Sequence, residues 1–479
     1  MNIKPAGEKA TRYRWTVCMM LFFATTVNYL DRQVLSLTWM DFIAPEFHWT
    51  NVHYGKITGI FSIMYAIGVL FAGRIIDRID TKKGYLWAIG IWSVGACLHA
   101  LCGVITEAVV GLDSAWALRM ARGTDMVARI TTVSVSLFIF ARSILALGEA
   151  GNFPAAVKAT AEYFPRKDRG FATSIFNAGA TVGALVAPVT VPLIATRWGW
   201  EAAFLIIGAL GFIWMGFWIF VYKKPEQHPK VNRAELMYIQ QDGEDVSTDN
   251  KPSVSQTKIS FWKCLTFRQT WAFALGKFMT DGVWWFFLFW TPAYLSSVYG
   301  LPSSDPTAQL LIFVLYAITL FAIIGGWLPT YFVDKKKMEP YAGRMRAMLI
   351  FAFFPLLTMF AQPLGSVSYW IPVIIIGIAG AAHQAWSANL YSTIGDMFPK
   401  STIATITGIG TTAGMISSYV INRFSGVLFD HAAATQMTFM GFQGEAAGYF
   451  IVFCICSVAY LGGWVIMKTL VPRYRKIIL

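Results

Sequence analysis

Asn28, Asp31 and Arg32 stand inside an apolar run from Trp15 to Thr38, with Asn28 one helical turn from the other two and on their face. A second run carries Arg142 and Glu149, seven residues apart and hence on one stripe. A third holds Lys277 and Asp281, an i,i+4 pair followed by Trp284-Trp285, and a fourth holds His383, Gln384, Trp386, Asn389 and Tyr391. Ionisable groups within membrane segments are costly and mark substrate or proton paths. Arginine is the side chain that grips a carboxylate with two parallel bonds. Arg32 therefore reads either as a carboxylate fork or as the ion-pair partner of Glu149 or Asp31. Asp31 and Glu149 are candidate proton carriers, each poised between burial, which favours the acid, and arginine, which favours the carboxylate. Gly148 and Gly151 flank Glu149 and leave space for a cavity. Lys277 and Asp281 form a structural bridge or border the substrate. Gln384 and Asn389 suit hydroxyl groups, His383 adds a weaker polar signal, and Trp284, Trp285, Trp386 and Tyr65 offer flat faces to a sugar ring.

The elements that position these groups follow from composition. The 479 residues are 56% hydrophobic and only 14% charged, with mean hydropathy +0.53, against about 25% charged in soluble domains. Disorder, a disulfide scaffold and an ordinary soluble enzyme are excluded. Apolar stretches near 15–38, 54–74, 84–105, 131–158, 170–195 and 201–222 give six spans. Six more lie near 271–298, 308–333, 347–364, 369–395, 402–429 and 447–470. The expected architecture is all-α with twelve transmembrane helices in two six-helix halves, 1–222 and 269–479, joined by a linker at 223–268 with partial helix. Residues 105–130, with three arginines, predict a small external helix or cap. The first span lacks a cleavage site and stays in place.

The net charge of +13 would suggest nucleic acid in a soluble protein. Here thirty of the 39 basic residues lie in the N-terminus, alternate loops, the linker and the C-terminus, which puts both termini in the cytoplasm. The lipid bilayer is then the partner, and nucleic acid is not. The six cysteines show no metal or redox spacing and read as small buried hydrophobes.

An internal repeat supports the two halves. Glu162-Tyr163-Phe164-Pro165-Arg166 ends span 4, and Asp396-Met397-Phe398-Pro399-Lys400 ends span 10. Gly179-Ala-Thr-Val-Gly183 and Gly410-Thr-Thr-Ala-Gly414 follow at nearly the same offset, each allowing close helix packing.

The loop from Gly73 through Asp77-Arg78 to Lys82-Lys83 resembles the cytoplasmic signature loop of the major facilitator superfamily, with Asp80 where glycine is usual. A carboxylate there suits a gating latch between the halves, so Gly73, Asp77 and Arg78 are candidate gating residues. The strings Asn28–Arg32, Gly148–Pro154, Gly276–Phe287 and His383–Asn389 resemble the anion:cation symporter branch, bacterial hexuronate transporters in particular. The resemblance implies a proton-coupled symporter of a sugar acid such as galacturonate or glucuronate, in the bacterial inner membrane, working by alternating access. It implies that Arg32 meets the substrate carboxylate, that Asp31 and Glu149 handle the proton, and that Tyr29, Tyr65, Arg142 and Asn177 line the cavity. Another organic anion, such as an aldonate, an aldarate or a dicarboxylate, fits the same residue types. No metal-spaced His/Cys cluster, GxSxG or phosphate loop supports an enzyme, and no cofactor is expected. A channel would need a filter and several subunits, whereas a duplicated chain with its own cavity is expected to act as a monomer.

Overall fold

A computed structural model describes residues 9–241, 261–398, 400–474 and 477. Among these, twelve long helices follow one another: α1 (Tyr13–Thr38), α2 (Asn51–Ile79), α3 (Thr81–Val110), α4 (Thr124–Tyr163, interrupted after Glu149), α5 (Arg166–Trp198) and α6 (Trp200–Val221). Then come α7 (Arg268–Tyr299), α8 (Pro306–Asp334), α9 (Pro340–Gly365), α10 (Trp370–Met397), α11 (Lys400–Thr435) and α12 (Glu445–Leu470). Nine described helices are long and apolar enough to cross a membrane by composition alone. The three that fall short, α1, α7 and α11, carry Asp31 and Arg32, Lys277 and Asp281, and Arg423 and Asp430. Their polar groups are sheltered by neighbouring helices rather than by lipid.

The segment between α3 and α4 holds a six-residue helix, Ala115–Met120, capped by the Ser114 side chain. Its buried Leu118 accepts a hydrogen bond from His48 Nε2 at 2.9 Å through its carbonyl. The linker contains the helix Arg233–Gln240, while 242–260 lie outside the described residues. Glu235 on that helix is buried and accepts from Thr11 Oγ1 at 2.6 Å and from the Tyr13 and Arg14 amides at 3.0 and 3.1 Å. A carboxylate on the first free amides of α1 is well placed against the helix dipole, so the linker is clipped to the first half.

The repeat is visible in the packing. A methyl group at Gly179 or Gly183 of α5 would overlap the Phe22 or Thr26 carbonyl of α1. One at Gly410 or Gly414 of α11 would overlap Phe273 or Asp281 of α7. Each half thus presses a pair of glycines on its fifth helix against its first. Phe164 and Phe398 end α4 and α10 with the same extended backbone, each amide bonding four residues back. The glycines at 148 and 151 leave room for α3 rather than a cavity: substituents there would strike Trp92 and Ala88.

Asp80, in the glycine position of the signature loop, has φ of +92° between α2 and α3. That conformation favours glycine and strains other residues. Its carboxylate lies 3.6 Å from Lys224.

Among the described residues, hydrogen bonds between the halves gather at the end away from the termini. Asp430 of α11 accepts from Asn51 N and Nδ2, both at 3.0 Å, and from Val52 N at 2.8 Å at the start of α2. Asp41, beyond α1, accepts from Ser296 Oγ at 2.6 Å and Ser303 N at 2.7 Å. Arg423 of α11 donates to the Val52 carbonyl at 3.3 Å. Below these, Tyr54 donates to the Phe289 carbonyl at 2.8 Å, and Ser62 meets Ser418 at 2.8 Å. A hydrogen bond to a charged group is worth about 1.5–3 kcal/mol. Asp430→Ala is therefore expected to shift the protein about tenfold or more toward opening at this end. Spin labels on the α1–α2 and α11–α12 connections should report a new, longer distance, and an unchanged distribution would show that Asp430 does not fasten the halves.

Candidate functional site

Arg32 sits where the halves meet. Its guanidinium lies 5.0 Å from the Tyr29 ring and 5.1 Å from the rings of Tyr65 and of Trp285, the last contributed by α7. Stacking on aromatic faces suits a weakly hydrated planar cation. Nε and Nη2 both donate to one oxygen of Glu149, at 2.9 and 2.7 Å, and Nη2 reaches Asn28 Oδ1 at 3.4 Å. The other oxygen, Glu149 Oε1, is buried without a hydrogen-bond partner. The ion-pair reading of Arg32 is thus present in this state, with half of the carboxylate unused.

Arg142 lies behind this pair. Its Nη2 donates to the Arg32 carbonyl at 2.9 Å, and its guanidinium stands 4.6 Å from the Phe61 ring. Nε and Nη1 are buried and unpartnered. Asp31, adjacent to Arg32 in sequence, turns the other way, into the first half beside Trp92 of α3 and in the electrostatic field of Arg142 and Glu149. Neither Asp31 oxygen nor Trp92 Nε1 makes a hydrogen bond. A buried polar group left unpaired is expensive, and orphans this concentrated mark a place where protons or ligands change the pairing.

The second half has its own charged unit. Lys277 Nζ pairs with Asp281 Oδ2 at 2.7 Å and lies 4.6 Å from the Tyr391 ring. His383 Nδ1 meets Tyr460 Oη at 2.8 Å, and its ring stacks on Trp284 at 5.3 Å.

Residues 21–421 match the family model for the Major Facilitator Superfamily. The chain belongs to that superfamily. It is 28% identical to the Hexuronate transporter of Escherichia coli (strain K12) over 88% of this chain and 89% of that one. It is 27% identical to the "Probable galactarate/D-glucarate transporter" of Bacillus subtilis (strain 168), covering 89% and 90%. Among solved structures, a bacterial homolog of the human lysosomal transporter Spinster, inward-facing and occupied, superposes with a TM-score of 0.68 at 18% identity, covering 96% and 97%. The D-xylose-proton symporter superposes with 0.66 at 15% identity, covering 97% and 100%. Membership of the superfamily makes the chain a multi-pass membrane transporter, not an enzyme.

Of the residues singled out in the sequence, Tyr29, Arg32, Tyr65, Arg142 and Glu149 come together in one cluster, with Asp31 at its rear. Trp284 and Gln384 are half-buried, and Asn177 is exposed on α5. Trp386 is fully buried in a T-shaped contact with Tyr460, its Nε1 without a partner, and Asn389 donates to the Gly325 carbonyl at 2.8 Å and lines a cavity with Gly325 and Ser392. In the gating loop, Gly73 has open space beside it and Arg78 is exposed, whereas the Asp77 side chain lies outside the described residues. Trp92 was not legible as a site residue, because tryptophan in an apolar helix gives no sign of facing a buried acid.

Breaking a buried ion pair from one side costs about 3–5 kcal/mol, whereas removing both partners is often nearly neutral. Arg32→Met should therefore lower the thermal unfolding temperature of the purified protein clearly, and adding Glu149→Gln should restore most of it. Equal destabilisation by the single and double variants would show that the pair is not coupled.

Proposed function

We propose that the protein is a proton-coupled symporter that imports a hexuronate, galacturonate or glucuronate, across the bacterial inner membrane by alternating access, with both termini cytoplasmic. The observation that carries this reading is the Arg32–Glu149 pair, set at the junction of the halves with one carboxylate oxygen unused. A substrate carboxylate offers Arg32 the same bonds that Glu149 makes. Proton transfer to Glu149 releases the fork, and the substrate takes it.

The charge balance supports this order. With Asp31 protonated, Arg32, Arg142 and Glu149 leave one net positive charge. An arriving monoanion neutralises it. With the termini cytoplasmic, the fastening at the non-terminal end supports an inward-facing form, from which substrate leaves toward the side of the termini. Tyr29, Tyr65, Trp284 and Trp285 supply flat faces for the sugar ring, with Asn177, Gln384 and His383 farther along the route. The relatives named for hexuronate and for galactarate and D-glucarate favour a sugar acid over other anions.

Glu149→Gln fixes the neutral form. The variant is expected to exchange labelled galacturonate across proteoliposome membranes while losing accumulation driven by a proton gradient; unimpaired accumulation would remove Glu149 from coupling. If Asp31 and Glu149 each carry a proton with one monoanion, every cycle moves a positive charge, worth roughly 2.3 kcal/mol per 100 mV. Galacturonate uptake should then rise with an inside-negative potential, and indifference to voltage would leave a single coupled proton.

A further inference from the structure

A groove of about 460 Å³ runs along α3, flanked by α4 and α6. Lys83, Trp87, Gly90 and Val94 share one stripe of α3 and form one wall, with Phe212 and Met215 of α6 facing them and Ile144 of α4 at the side. Gly90 and Trp92 are two residues apart and point to opposite faces of the helix. Trp92 turns inward to Asp31, and Gly90 turns out. The glycine is what opens the groove. A methyl group at Gly95 or Gly148 would strike the backbone of Leu145 or Trp92, so those two glycines admit a neighbouring helix. One at Gly90 would meet only the tip of Met215, at 3.4 Å. Glycine weakens a helix interior, and at this position no helix contact offsets the loss.

Charge and apolar surface are sorted along the groove. At the end nearest the termini Lys83 closes the α3 wall. Beside it Lys82 donates to the Ile219 carbonyl at 2.6 Å, one turn past Met215 on α6. Lys82 lies in the field of Lys223, and Lys224 pairs with Asp80 at 3.6 Å. Lys82, Lys83, Lys223 and Lys224 thus gather at one rim, with Asp80 among them. From Lys83 the walls continue to Val94, about 16 Å of helix at 1.5 Å per residue. One leaflet of a bilayer core is about 15 Å deep.

We propose that this groove is a binding site for an anionic phospholipid, with one acyl chain lying between α3 and α6 and the phosphate resting on Lys82 and Lys83. It requires only that the chain cross a membrane, so it stands or falls separately from the symporter reading above. An acyl chain matches the apolar walls, a single leaflet matches their length, and a phosphodiester matches lysines gathered at one rim. Basic pockets between spanning helices hold anionic headgroups by the same chemistry. Trp87, exposed and one turn from Lys83, stands where amphipathic rings collect at headgroup level.

Native mass spectrometry of the purified full-length chain, delipidated in detergent and titrated with phosphatidylglycerol or phosphatidylcholine, reads the affinity of the first lipid bound. Phosphatidylglycerol is expected to bind about tenfold more tightly. Lys83→Gln, at an exposed position, should bring it within about threefold of phosphatidylcholine. Gly90→Leu fills the groove and strengthens the helix, and it should weaken the first phosphatidylglycerol about tenfold. Lys336→Gln removes the same charge from the exposed loop between α8 and α9, on the side of the termini, and should leave binding unchanged. Equal affinity for the two lipids in the wild type, or Gly90→Leu within about twofold of the wild type, overturns the site. An equal loss in Lys336→Gln also overturns it, since the preference then belongs to the basic surface as a whole. Displacement of the lipid by millimolar inorganic phosphate does so too, and leaves the lysines as a site for a free anion.

Discussion

The bond from Arg32 to Glu149 sets the terms for the rest of the molecule. A charge pair at mid-membrane survives only where neighbouring helices, not lipid, surround it. The helices with charged groups must therefore lie inside the bundle, and inner helices need close partners. α1 and α7 obtain them through the paired glycines of α5 and α11, whose backbones approach until a single methyl group would collide. The charge on α1 and the glycine pairs four spans later are two consequences of one constraint. Low hydropathy in α1, α7 and α11 is its third.

That constraint explains which features could be read from sequence. Span number, the duplication and the outward cap are written in local composition: apolar runs, a repeated Phe-Pro ending, a polar stretch too long for a turn. The cluster of Arg32, Arg142 and Glu149 was legible because charge inside an apolar run is rare enough to be a signal by itself. Spacing along one helix, however, fixes only which face a residue takes and not which neighbour that face meets. Asn28, Asp31 and Arg32 share a face by spacing, yet Arg32 reaches the junction while Asp31 points toward α3. Gly148 and Gly151 make room as expected, but α3 fills it. Trp386 and Asn389 carry the right chemistry for a sugar, but their spacing did not tell that Trp386 would be fully buried or that Asn389 would bond the Gly325 carbonyl.

The fastening between the halves has a different character from the packing within them. Within each half, glycine pairs bring helix backbones together along the inner faces. Between the halves, Gly55 of α2 and Gly426 of α11 also meet closely, but only near the non-terminal end, where Asp41 and Asp430 capture backbone amides and small polar side chains. Such bonds are individually modest and can be replaced by water when the ends separate. An interface of this kind opens without unpacking either six-helix unit, which alternating access requires.

Charge then dictates what such an opening can carry. In the proposed cycle the first half holds two arginines against two acids, so a fully ionised cluster is neutral and has no net attraction for an anion. One proton on Asp31 creates the attraction, and a second on Glu149 clears the binding fork. In that cycle the two protons act at different atoms, one on the Asp31 carboxyl and one on Glu149, whose Oε2 is bonded to Arg32. A site that kept Glu149 ionised would have to place two carboxylates on one guanidinium in a low-dielectric interior, where like charges a few ångströms apart repel strongly. In the proposed cycle, competition between substrate and Glu149 for Arg32 is what makes substrate and proton arrive together.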